Sequence, residues 1–277
     1  KVKMKTRETV TAITRETDGS YLVHTSGWKY PADRVIVTTG SPASEISGSS
    51  ADGLQFADDL GIRSVPFAPA LCPLKCSGAE FQKWSGVRAD GRVTLFLDGV
   101  PVVSESGELQ LTSYGISGIP VFQVSRYAVR ALEEGALVEA ELDFFPDMEE
   151  DAFAALLNHR MMSCTYKTQE ELLIGLLPDK LIPLALRNGR ELDVIAHAVK
   201  HVRLKVKDSA GFERAQVSSG GVDLAEVSDQ LESMRYPGLY FAGEVLDVDG
   251  ACGGYNLHWA WVTGAIAGFS AAKEEEE

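Results

Sequence analysis

Residues 236–268, YPGLYFAGEVLDVDGACGGYNLHWAWVTGAIAG, constrain this chain more than any other stretch. Leu239, Tyr240, Phe241 and Ala242 form an apolar run of strand length. Gly243 and Glu244 stop it, and a polar loop with Asp247, Asp249 and Gly250 follows. Gly253 and Gly254 then let the backbone turn into an apolar helix over 255–268. Strand, acid, glycine loop and helix start, in that order, bring free backbone N–H groups and the positive end of a helix dipole to one point. Such a point suits an anionic or electron-rich ligand edge, with Glu244 placed to accept hydrogen bonds from ligand hydroxyls. The same pattern also describes an ordinary strand–loop–helix unit whose glycines only turn the chain. On the helix, Trp259, Ala260, Thr263, Gly264, Ala267 and Gly268 mark a face for close packing.

The rest of the chain predicts a mixed α/β architecture. Residues 9–14 and 21–25 alternate around Asp18-Gly19, a hairpin signal, and 28–30 add a third strand. Residues 34–39 read as a buried parallel strand ending in Thr39-Gly40. Asp52 is expected to cap a helix that Gly61 closes. From Val65 the character changes to short alternating runs at 70–74, 93–97, 100–103 and 108–112. The turns expected between them lie at Ala89-Asp90-Gly91, Asp98-Gly99 and Glu105-Ser106-Gly107, which suits a small antiparallel barrel or sandwich. A helix over 121–133 and a strand over 138–144 follow, then helices over 149–162, 168–176, 179–186 and 192–200. Thr168 with Glu171 fits a capping box. Strands are expected again at 202–206 and 214–217.

Composition removes several functions. The 277 residues carry a net charge of −14, which argues against nucleic acid and anionic membranes as partners. No run of 18 apolar residues is present, and the opening KVKMKTRETV is no signal peptide, so a cytoplasmic protein is the simplest expectation. Four cysteines make no disulfide framework in a chain of this length. Cys72 and Cys76 lie in an apolar, proline-containing run and read as packing thiols, and Cys164 stands alone. Cys252, beside the Gly253-Gly254 turn, is a weak candidate for a redox thiol. His159, His197 and His201 show no convergent spacing with cysteines or carboxylates, so no metal site is expected.

Three segments carry a family resemblance: GLYFAGEVLDVDG followed by GGYNL in the stretch above, TSYGISG at 112–118, and SSGGV at 218–222. Together they resemble the aminoacetone oxidase-like, or BaiN/YhiN-type, family of FAD-binding flavoproteins. The resemblance implies a partial two-dinucleotide-type FAD-binding fold over 1–64 and 216–277. It implies an inserted β-barrel-like domain over 65–146, a helical subdomain over 147–200 and return strands of the barrel over 201–215. FAD is the implied cofactor, with Glu244 on its ribityl–phosphate part and Gly253, Gly254, Tyr255 and Asn256 along the flavin. Thr39, Gly40, Gly243, Asp249 and Gly250 complete the implied cofactor set. Residues 41–50 depart from the family's glycine-rich motif at this place.

The strand and G-x-G-x-x-G turn that open such enzymes are absent from these residues, so the chain reads as a truncated fragment of a flavin-dependent oxidoreductase. Its substrate would be a small molecule, with NAD(P)H a candidate electron donor. Family reactions range from amine oxidation to reduction of a steroid-like enone. No catalytic residue is assigned, and His258 and Tyr255 are the nearest titratable candidates. The alternative is a non-catalytic binding or scaffold module with a degenerate flavin site. A nicotinamide-only dehydrogenase is weaker, because the chain holds no separate nucleotide fingerprint. Oligomeric state stays open.

Overall fold

Residues 2–46, 48–78 and 80–273 are described by a computed structural model. The chain divides into one unit of Lys1–Ala68 with Gln216–Glu277 and another of Pro69–Ala215. With elements numbered in chain order, the first unit opens on an antiparallel meander of β1 (Val10–Arg15), β2 (Tyr21–Thr25) and β3 (Lys29–Ala32). Asp18 makes the first turn, its carboxylate accepting the Ser20 N–H at 3.0 Å. Next comes β4 (Val35–Val37), and then α1 (Asp52–Asp59). Asp52 occupies the first turn rather than the cap, which is Ala51; its charge still meets the helix dipole there. Gly61 does close the helix, with φ of 67°. The N–H groups of Gly61 and Ile62 donate to Asp58 and Ala57 carbonyls at 2.8 and 2.9 Å, a Schellman ending. Late in the chain β13 (Leu239–Phe241) lies parallel to β4, Tyr240 opposite Ile36.

The helix α8 (Tyr255–Ala272) buries only Thr263 and Ala267. At its far end the Arg34 guanidinium donates to the Ala271 carbonyl at 2.6 Å, a cation on the negative end of the dipole. Tyr21, Ile62, Leu239, Phe241, Val245 and Leu246 sit in the core of this unit.

Strand β5 (Ser64–Ala70) pairs with β12 (Val217–Val222). The second unit is built on six further strands: β6 (Leu74–Cys76), β7 (Arg88–Leu97), β8 (Val100–Leu111), β9 (Gly115–Ser117), β10 (Val138–Asp143) and β11 (Val202–Ser209). They close into a barrel in the order β10-β11-β6-β9-β8-β7. Alternation fills its interior: Val138, Ala140 and Leu142 of β10 face in with Val202, Leu204 and Val206 of β11. Helices α2 (Phe81–Trp84) and α3 (Ile119–Glu133) join this core, and α3 packs against β7 through β11. Between β10 and β11 stand α4 (Glu150–Ser163), α5 (Gln169–Leu173), α6 (Ile182–Ala185) and α7 (Leu192–Lys200). The Thr168–Glu171 capping box forms with both of its hydrogen bonds.

Two expected turns are corrected. Asp98-Gly99 does turn, with φ of 49° and 83° at its two residues. Ala89-Asp90-Gly91 and Glu105-Ser106-Gly107 instead lie inside β7 and β8, where Gly91 pairs with Gly107. A Cβ on Gly91 would stand 2.7 Å from the Asp143 carbonyl, so the glycine marks close backbone approach across a bent barrel strand. The strand expected at 214–217 is also corrected. A single helical turn occupies Phe212–Arg214, and β12 starts only at Val217.

A buried ion pair locks α7 to β10. Lys200 Nζ donates to Asp143 at 2.9 and 3.2 Å and to the Phe145 carbonyl at 2.7 Å, with the two side chains 9% and 17% exposed. Removing the carboxylate leaves a desolvated ammonium, so Asp143→Ala is expected to destabilise this unit by roughly 3–5 kcal/mol in urea unfolding. A loss of under about 1 kcal/mol, the size of a surface pair, would show that water replaces the carboxylate freely.

Candidate functional site

Glu244 sits in a single helical turn, Gly243–Val245, directly after β13. The turn is fastened to α8: the Gly243 N–H donates to Thr263 Oγ1 at 2.9 Å, and Trp259 Nε1 donates to the Gly243 carbonyl at 3.2 Å. Thr263 in turn donates to the Trp259 carbonyl at 2.7 Å. Held this way, Glu244 accepts the Ser218 N–H at 2.9 Å, and the Ser218 hydroxyl donates to Ser41 Oγ at 2.8 Å. Burial pushes the Glu244 carboxyl above its ordinary range, while the Ser218 N–H and the Ser41 hydroxyl pull it back.

Behind it, Asp247 accepts the Gly220 N–H at 3.1 Å, and the Asp247 N–H donates to the Val222 carbonyl at 2.9 Å. Gly221 makes that approach possible, since a Cβ there would lie 2.4 Å from Asp247 N.

At the end of the loop, Gly250 donates its N–H to Asn256 Oδ1 at 2.7 Å and accepts from Asn256 Nδ2 at 3.1 Å. The Asn256 side chain therefore latches the loop to the helix. Gly254, with φ of 93°, caps α8 without any side chain accepting its first N–H groups, and the first turn holds no acid. Gly253, Gly254 and Tyr255 are exposed. A helix start so left is an anion site in waiting.

Thr39 and Gly40 lie one step from this cluster. Ser41, their neighbour, carries the contact to Ser218, and Gly53 wedges between Thr39 and Val245. Thr39 Oγ1 is buried and has no hydrogen-bond partner, a polar atom that a bound group would satisfy. An apolar cavity of about 260 Å³ reaches Thr38 and Thr39 past Val10, Ile13 and Phe56, but Glu244 does not line it. Asp249 lies half-buried in the loop. This unit thus holds a carboxylate acceptor in Glu244, a buried hydroxyl without a partner in Thr39, and an open helix start at Gly254.

Ser41 and Ser218, which hold Glu244, were missed from sequence. The SSGGV motif contains Ser218 but carries no signal that it meets Glu244. The face expected to pack closely on α8 is split. Thr263 and Ala267 are buried, whereas a Cβ on Gly264 or Gly268 would meet nothing within 4 Å.

Burial raises the Cys72 thiol to about 11 and the Cys76 thiol to about 12, which keeps both as inert thiols at neutral pH. The TSYGISG segment ends as a barrel strand: a Cβ on Gly118 would lie 2.4 Å from the Glu108 carbonyl, a packing role. His197 and His201, whose sequence spacing shows no carboxylate partner, meet Glu150 of another helix in space. No helix among the described residues is long and apolar enough to cross a membrane.

The HI0933-like protein Rossmann domain, as a family model, matches residues 1–270. A 3-dehydro-bile acid delta(4,6)-reductase of Clostridium scindens is 40% identical over 99% of this chain and 70% of its own length. Ribosomal RNA dihydrouridine synthases of Haemophilus influenzae and Escherichia coli are each 28% identical, over 92% and 94% of this chain. The chain spans 64% and 66% of those two proteins.

Proposed function

This chain belongs to the HI0933-like Rossmann-domain family, and we propose that it is the flavin-holding portion of a reductase. Its substrate would be a small, apolar molecule with a carbon–carbon double bond conjugated to a carbonyl. The observation that carries this reading is the half-buried Glu244, fixed by Ser218 and Ser41 beside the uncapped start of α8. The names of the relatives supply the reaction class. One reduces Δ4,6 double bonds in a 3-dehydro bile acid, and the others form dihydrouridine. In each reaction a double bond conjugated to a carbonyl takes up two electrons and two protons and becomes a single bond. A net charge of −14 favours the small substrate over RNA.

When bound and reduced by NAD(P)H, FAD would supply the hydride for the far carbon of the conjugated system, with a solvent proton completing the addition. Glu244 keeps lone pairs beyond its bond to Ser218 for ribityl hydroxyls. Thr39 would donate its orphaned hydroxyl, and Gly40 would let the backbone approach closely. The first N–H groups of α8 would stabilise negative charge on the ligand edge they face.

The test begins with the visible spectrum after gel filtration with FAD. NADPH and NADH consumption would then be followed with a 4,6-dien-3-one steroid and, separately, with unmodified ribosomal RNA. Retained flavin with steroid saturation supports the reading. Dihydrouridine formed without steroid turnover would overturn the substrate class. A colourless protein, even with a G-x-G-x-x-G unit supplied, would overturn the flavin reading.

Glu244→Gln separates binding from stability. Loss of a charged acceptor is expected to weaken FAD binding by roughly 10–100-fold. The folded carboxyl holds its proton more tightly than the unfolded one, so stability falls as pH rises through the window above about 4.5. The glutamine removes that loss. The flavin-free variant should therefore melt higher than the parent at neutral pH, and the difference should vanish in acid below that window.

A further inference from the structure

We infer that Glu150, His197 and His201 bind a divalent transition-metal ion, with Zn²⁺ the natural occupant. His197 stands in the last turn of α7, and His201 follows one turn later as its C-cap, with φ of −126°. The spacing of four sets both imidazoles on one side of the helix end, their rings 4.6 Å apart and tilted by 30°. Glu150 opens α4, which packs against α7, and reaches both rings.

The distances are those of a ligand set. His197 Nδ1 lies 3.4 Å from Glu150 Oε2, and His201 Nε2 lies 3.3 Å from the same oxygen. Both are long for a charge-assisted hydrogen bond. A tetrahedral zinc with arms of about 2.0–2.1 Å separates its ligand atoms by about 3.3–3.4 Å. One donor atom from each of the three residues falls within 4.8 Å of the others.

The surroundings orient the donors as metal sites do. His201 Nδ1 is 3.2 Å from Glu141 Oε2 on β10, a carboxylate behind a histidine that fixes ring and tautomer and leaves Nε2 for the ion. Glu141 is itself held by Arg203 Nε at 2.9 Å. The nearby cations are engaged, Lys200 by Asp143 and Arg203 by Glu141, so neither neutralises Glu150. Two imidazoles and one carboxylate suit zinc over magnesium or calcium, which take oxygen. The half-exposed cluster leaves a fourth position for water. The ion would tie the start of α4 to the end of α7 and, through Glu141, to the barrel wall.

The full chain, stripped by chelator, would be titrated with ZnCl₂ and passed through gel filtration. A single equivalent should remain bound, and Co²⁺ in its place should give the intense visible bands of a tetrahedral site. Glu150→Gln and His197→Asn should each lower affinity by at least about tenfold while the circular dichroism stays unchanged, and Glu141→Gln by roughly 10–100-fold. At saturating Zn²⁺ the melting of this unit should rise by on the order of 5 °C.

A readout that needs no variant is protection from diethyl pyrocarbonate. Of His24, His159, His197, His201 and His258, zinc should shield His197 and His201 alone. No retained metal, protection elsewhere, or folded variants that bind like the parent would each overturn the site.

Discussion

Gly221→Ala is expected to destabilise the flavin-side unit by about 2–4 kcal/mol. Gly221 holds φ of 143°, and an added Cβ would meet Asp247 N and Leu246 C at 2.4 Å and the Leu246 carbonyl oxygen at 2.6 Å. All three are backbone atoms, so no side-chain rotation relieves the clash. Relief would require β12 to draw back from the loop that follows Glu244. That movement breaks the Val222–Leu246 bridge and the bond from Asp247 N to the Val222 carbonyl. The Gly220 N–H bond to Asp247 goes with them. Flavin retention should fall with stability, because Ser218 on the same strand holds Glu244.

Gly264→Ala is the control. It sits inside α8 with open space around its Cβ position and should raise stability by roughly 0.5–1 kcal/mol through helix propensity alone. Equal urea midpoints for the two variants would contradict the close approach of β12 to the loop.

The features that could be read from sequence are those whose physics is local. Period-two alternation gave the meander, and the apolar run 239–242 gave β13. Helical periodicity placed α7 on its observed residues, and Thr168 with Glu171 gave a capping box that forms. Glu244 at a strand end before a glycine loop was legible for the same reason.

What escaped depends on contacts far apart in the chain. Gly91 and Gly107 look like turn residues because glycine serves turns and tight strand crossings alike. Only the pairing of β7 with β8 and the carbonyl of Asp143 decide between them. Ser41 and Ser218 meet across 177 positions, a separation no local pattern encodes. His197 and His201 carry the helical spacing of a ligand pair, but their third partner starts a different helix. The family resemblance implies Asn256 along the flavin but says nothing of what its side chain holds. Its amide is matched to both polar groups of Gly250, six residues back across the glycine turn.

Supplying a strand–G-x-G-x-x-G–helix unit ahead of Val10 is expected to tighten FAD binding by roughly 10²–10³-fold, the worth of about two charge-assisted N–H bonds to pyrophosphate. Two surfaces of the flavin-side unit point to this outcome. β4 pairs with β13 on one side, and no strand occupies its other edge among the described residues. Such an edge offers a row of backbone donors and acceptors to an added parallel strand. α8 presents Leu257, Trp261 and Phe269 at 64%, 73% and 75% exposure, an apolar stripe suited to a packed helix. The β4–β13 sheet has only two strands, so the added unit should also raise the melting temperature. Trp261 gives an internal report. Its acrylamide quenching should drop when the unit docks, before any flavin is added. Tighter FAD binding without that drop would mean the unit binds phosphate while leaving α8 uncovered. An unchanged affinity would mean that the added unit contributes nothing to the site of Glu244, Thr39, Gly40 and the start of α8.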